Sequence, residues 1–217
     1  MANVTVITRF RTRAGSEDEL FKAVDPFLKK TRKEEGCVIY DVYRNVRDGT
    51  FGIFHEVWRD WQAINSHIGS SHFQQFMGAA SPLLINLNER GDNPFEVNTA
   101  QLFDPSQPPT AEIVLVATRM KAAPGKAKQV AEDTRTLVLN PSNNEEGCLG
   151  YDLYQNRTDA DLFLLYEQWR GFKAIQDHMA TGHFNAFMKA APVMLIPPET
   201  GTKDLFEVMI CTPYLPS

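Results

Sequence analysis

The most constraining feature of this chain is that its second half repeats its first. Glu35-Gly36-Cys37-Val38-Ile39-Tyr40-Asp41-Val42-Tyr43-Arg44-Asn45 recurs as Glu146-Gly147-Cys148-Leu149-Gly150-Tyr151-Asp152-Leu153-Tyr154-Gln155-Asn156, a shift of 111 residues. Glu56, Trp58, His67, His72, Phe73 and Phe76 return at the same shift as Glu167, Trp169, His178, His183, Phe184 and Phe187. Between 35 and 97 about 25 of 63 positions are identical without a gap, which identifies a duplication. A copy of roughly 100 residues has the size of a small domain. The division reads as 1–103, a Pro-rich linker over 104–110 that favours a stiff, extended chain, and 111–217.

Each copy reads as β-α-β-β-α-β. Val4, Val6, Thr8 and Phe10 alternate as in a half-buried strand. Ser16 and Glu19 have capping-box spacing ahead of an apolar stripe of Leu20, Ala23, Val24, Phe27, Leu28 and Thr31, and Gly36 closes that helix. Strands over 38–45 and 51–59 flank an Asp48-Gly49 turn, a short helix follows over 61–68, and Ser70 caps the next helix. Phe95 to Phe103 closes the copy as a strand. The order is the split β-α-β, ferredoxin-like plan. The expected class is α+β: two tandem ferredoxin-like (βαββαβ) domains packed sheet to sheet as an intramolecular pseudo-dimer, with further homo-dimerisation left open.

Composition narrows the partners. A formal charge of −5 without any Lys/Arg run argues against nucleic acid. No apolar stretch has the length of a membrane span, the N-terminus lacks a signal-peptide pattern, and three cysteines do not form a disulfide framework. The expectation is a cytoplasmic protein.

The string Glu56-x-Trp58-x4-Ala63-x3-His67-x4-His72-Phe73, present twice, resembles the core signature of the antibiotic biosynthesis monooxygenase family, small dimeric α+β-barrel proteins. The resemblance implies an oxygen-dependent reaction on a small aromatic or quinol without a cofactor. The scaffold also carries isomerases, haem-degrading enzymes and non-catalytic ligand-binding modules, so function stays open between them. Met77 and Met188 stand where the haem-degrading branch carries its axial histidine, and at helical spacing with Phe73 and Phe76 they read as core filling.

The repeated polar residues are the site candidates. His67 shares a helix face with Ala63 and Ile64 and points inward with them. It reads as a catalytic base, as does His178, or as a structural histidine fixing its helix to the sheet. His72 and His183 follow a helix cap, where the positive helix end favours a neutral ring. Five residues between histidines is not the i, i+4 spacing of a metal pair, so no metal is expected. Tyr40, Tyr151, Tyr43, Tyr154, Asn45, Asn156, Glu56, Glu167, Trp58 and Trp169 are candidates for substrate binding, with ion pairing or a polar interface as the structural alternative.

Overall fold

A computed structural model describes residues 3–85, 96–100, 113–156, 158–198 and 203–214. The expected linker, 104–110, lies outside them. The chain forms two compact units, Met1–Pro109 with Thr212–Ser217, and Thr110–Cys211. Each is α+β, and among the described residues no helix is long and apolar enough to cross a membrane.

The first unit runs β1 (Val4–Thr12), α1 (Glu17–Thr31), β2 (Cys37–Asn45), β3 (Phe51–Trp58), α2 (Trp61–Ile68), α3 (Ser71–Ala80), β4 (Leu84–Ile85) and β5 (Glu96–Ala100). The second repeats it as β6 (Ile113–Ala122), α4 (Ala127–Asn144), β7 (Cys148–Asn156), β8 (Leu162–Arg170), α5 (Gly171–Met179), α6 (Gly182–Ala190), β9 (Leu195–Ile196) and β10 (Phe206–Pro213). In both, the first strand lies between the third and the closing strand, and all these pairs are antiparallel. This is the ferredoxin-like order read from the sequence. Tyr214 hydrogen-bonds Asp25 at 2.6 Å and packs on Phe21, which ties the C-terminal residues to the first unit.

Two local expectations change. Ser16 does stand at the N-cap of α1, but its side chain makes no capping hydrogen bond. The helix stops at Thr31, with Arg32 as its C-cap, so Gly36 does not end it. Gly36 instead turns the chain into β2 at φ +89°, a region that side chains with a Cβ avoid. A Cβ there would lie 2.7 Å from the Ala63 Cβ, and one on Gly147 (φ +85°) 2.8 Å from that of Ala174. Glycine therefore lets the α1–β2 connection press against α2, and the α4–β7 connection against α5. The second helices are capped as expected, with Ser70 Oγ accepting from Phe73 N and Thr181 Oγ1 from Phe184 N.

Strands β2 and β3 pair Tyr40 with Glu56 and Asp41 with His55. Just before this the register shifts between Cys37 and Ile39, leaving Val38 as an extra residue, and β7 does the same between Cys148 and Gly150. Such a bulge offsets the alternation of side chains by one residue. Tyr40, Phe54, Glu56 and Trp58 then share the face turned to the helices, where Phe27 and Phe76 stack with centroids 4.2 Å apart.

Candidate functional site

Five segments meet at one end of this core. Trp58 Nε1 donates to Glu56 Oε2 at 2.9 Å, and Glu56 also hydrogen-bonds the Tyr40 phenol. The His67 ring, 2% exposed, packs against Trp58 (4.8 Å), Phe73 (5.0 Å) and Tyr40 (5.4 Å). Its Nδ1 lies 2.8 Å from Glu34 Oε2, while His72 Nε2 lies 2.8 Å from the other oxygen, Oε1. One carboxylate thus bridges two histidines.

The second copy repeats the arrangement. Trp169 Nε1 donates to Glu167 Oε2 at 2.9 Å, His178 Nδ1 lies 2.9 Å from Glu145 Oε2, and His183 Nε2 lies 2.7 Å from Glu145 Oε1. One link differs. His178 Nε2 lies 3.3 Å from the Tyr151 hydroxyl, whereas the buried His67 Nε2 has no hydrogen-bond partner.

Glu34 and Glu145 were not among the sequence candidates. Glu34 lies in the connection that Gly36 brings against α2. The signal was present, because Glu34 and Glu145 extend the repeat one residue further at the same shift. His67, His72, Tyr40, Glu56 and Trp58 come together as candidates, and so do His178, His183, Tyr151, Glu167 and Trp169.

Tyr43, Asn45, Tyr154 and Asn156 do not join them. They alternate with Tyr40 and Tyr151 and lie on the opposite strand face. Asn45 Oδ1 accepts from Arg47 N at 2.9 Å, and Asn156 Oδ1 accepts from Thr158 N at 2.8 Å and Asp159 N at 2.9 Å. The repetition of the two asparagines has a structural cause: an Asx turn between strands.

Burial sets the charges. It holds His67 down at about 4, and it lowers His178 against the opposing pull of Glu145. His72 is lowered too, by burial and then by Lys30, a different cause from the helix end expected from sequence. Burial pushes Glu56 and Glu167 up to about 7, although the Trp and Tyr hydrogen bonds pull the other way. Cys37 and Cys148 are driven to about 12 and stay protonated thiols at neutral pH.

The ligand-capable atoms of Glu34, His67 and His72 lie within 4.8 Å of one another, as do those of Glu145, His178 and His183. The bridging carboxylate supplies the third group that histidine spacing alone did not. Each ring nitrogen facing it sits at hydrogen-bond distance from its own oxygen, so two N–H donors satisfy the cluster as it stands. Met77 packs partly buried against the first core, while Met188 is exposed. Beside His72 a groove of about 170 Å³ runs between α1 and α3, walled by Ala23, Phe27 and Phe76, with Lys30 at its edge.

A family profile for antibiotic biosynthesis monooxygenases matches residues 3–79 and again 113–190. The chain belongs to this family. Among its relatives, Putative monooxygenase Rv0793 of Mycobacterium tuberculosis is 33% identical over 81 residues, 37% of this chain and 79% of that protein. Uncharacterized protein sll1783 of Synechocystis is 32% identical over 85 residues, 39% of this chain and 57% of that protein's length. The crystal structure of a protein named Putative monooxygenase from Fusobacterium nucleatum superposes over 98% of this chain and 92% of its own. Its TM-score is 0.77 at 16% identity, a likeness of fold. The family and the names of these relatives support a monooxygenase-like function.

Proposed function

We propose that the chain is a cofactor-independent monooxygenase that oxidises a small aromatic or quinol substrate with dioxygen, with His67 and His178 as its bases. One observation carries the reading. His67 is sealed among aromatic rings with Nδ1 held on a carboxylate and Nε2 left without a partner. An imidazole kept neutral by burial has a lone pair to offer, and a carboxylate on its other nitrogen fixes the tautomer and steadies the imidazolium that forms. A substrate hydroxyl gives its proton to Nε2. The anion left behind is electron-rich enough to pass one electron to dioxygen, and the two radicals join as a ring peroxide. Loss of water leaves one oxygen atom in the product. Tyr40 and Trp58, and Tyr151 and Trp169, are the aromatic neighbours against which a ring would pack.

The test is dioxygen uptake by purified protein over a panel of hydroquinones and anthrones. Uptake that falls by about 100-fold in His67→Ala/His178→Ala supports the reading, since a positioned base contributes roughly that much. Uptake no greater than the variant's across the panel overturns it, and turnover under argon replaces it with an isomerase.

A further inference from the structure

The polar groups of the second copy form one unbroken line. The Glu167 carboxyl hydrogen-bonds the Tyr151 phenol, whose oxygen is 3.3 Å from His178 Nε2. His178 Nδ1 is 2.9 Å from Glu145 Oε2, and Glu145 Oε1 is 2.7 Å from His183 Nε2. Exposure rises outward along it, from 1% at the His178 side chain through 15% at Glu145 to 24% at His183. We propose that this line is a proton wire by which the sealed carboxyl of Glu167 exchanges its proton with solvent, with Glu145 as its outer link. Use of the wire in catalysis rests on the oxidation proposed above; its existence does not.

The transfer balances without any redox change. Glu167 gives its proton to the Tyr151 oxygen as Tyr151 gives its own to His178 Nε2. His178 releases the Nδ1 proton to Glu145 Oε2, and Glu145, itself partly exposed, passes that proton to water while His183 Nε2–H goes on holding Oε1. One proton leaves and one negative charge remains on Glu167. The His178 ring is left in the opposite tautomer, and a proton returning along the same line resets it. The groups facing Glu167 are Tyr151 and Cys148 from β7, Trp169 on its own strand, Glu145 from the connection before β7 and His178 from α5. From β6 the residue in register is Val116, which does not titrate. With burial holding Glu167 near 7, a proton has reason to move at neutral pH. The first copy has the same bridge at Glu34, but its line is open between Tyr40 and His67 Nε2.

Trp169 offers the readout, because its indole N–H is bonded to Glu167. The sequence holds three tryptophans, so Trp58→Phe with Trp61→Phe leaves Trp169 as the sole reporter. A stopped-flow pH jump across neutrality in this full-length background should give a fluorescence relaxation that Glu167→Gln abolishes. Glu145→Gln should slow it by at least about tenfold and, by removing a negative charge, also lower its midpoint, whereas a purely structural role would move the midpoint without slowing the relaxation. Should that variant fail to fold by circular dichroism, Tyr151→Phe carries the test: a comparable slowing supports the wire, because it breaks the link between Glu167 and His178. An unchanged rate in the folded Glu145→Gln variant, or in Tyr151→Phe, overturns it, as does a Trp169 signal that ignores Glu167. None of these outcomes depends on dioxygen uptake.

Discussion

Replacing Glu56 and Glu167 by glutamine should change how stability depends on pH, in a direction opposite to ordinary carboxylates. Both carboxyls are sealed behind the sheet and rise from an ordinary 4.5 to about 7, chiefly because burial penalises the charge. A carboxyl raised in the fold binds a proton there that the unfolded chain has already released. It therefore contributes stability that is complete below 4.5 and is lost as pH climbs through 7. Between pH 5 and pH 8 the loss comes to about 2 to 3 kcal/mol for each carboxyl. His55 and His67, both held down near 4, act with the opposite sign below their ordinary 6.5 and mask this slope in the parent protein. The difference between parent and Glu56→Gln isolates it. Glutamine imitates the protonated acid, with an oxygen for the Trp58 indole and an N–H for the Tyr40 oxygen. Urea unfolding of both proteins near pH 5 and pH 8 should show Glu56→Gln gaining about 2 to 3 kcal/mol on the parent across that interval. Glu167→Gln should do the same in the second unit. A difference that stays flat within about 0.5 kcal/mol would mean that the carboxyls are not proton-bearing at neutrality, and the reasoning would fail.

Two further substitutions probe how the fold presents the site. Ser70→Ala should cost about 1 kcal/mol in chemical denaturation, because Ser70 Oγ caps α3, whereas Ser16→Ala should cost a small fraction of that, since Ser16 makes no capping bond. Gly36→Ala should destabilise by about 2 kcal/mol, from the positive φ and the 2.7 Å approach to Ala63 together, and should weaken the Glu34–His67 contact. The imidazole resonances of His67, followed by NMR, would show that loosening, and an undisturbed His67 would refute it.

The fold was legible because the repeat let each pattern be checked against its twin. The short helix α2 matches the expected 61–68, and Ser70 and Thr181 cap as their types require. Inward placement of His67 followed from its sharing a helical face with Ala63 and Ile64, all three of them buried. Half of the site did not follow from local pattern. Glu34 lies 33 residues from His67, in a connection with no periodicity to mark which way its side chain turns. Strand alternation put Tyr43 and Asn45 on one face and Tyr40 on the other, as the pairing has it. It carried no sign of which face meets the helices, so both sets stayed in the candidate list. Asn45 further shows that repetition alone does not mark chemistry, because a turn needs its side chain as firmly as a reaction would.

The bulge at Val38, matched by Leu149 in β7, also bears on the history of the chain. An extra residue at the same place in both copies is most simply a single event, older than the duplication itself. The carboxylate bridge and the Asx turn, also held in common, belong to the same ancestor. The Asp60 cap of α2 has no counterpart at α5, which starts at Gly171 with φ +76° and no side-chain cap. Such mismatches record what each copy changed afterwards. The ancestral half-length protein would already have carried the bridged histidines.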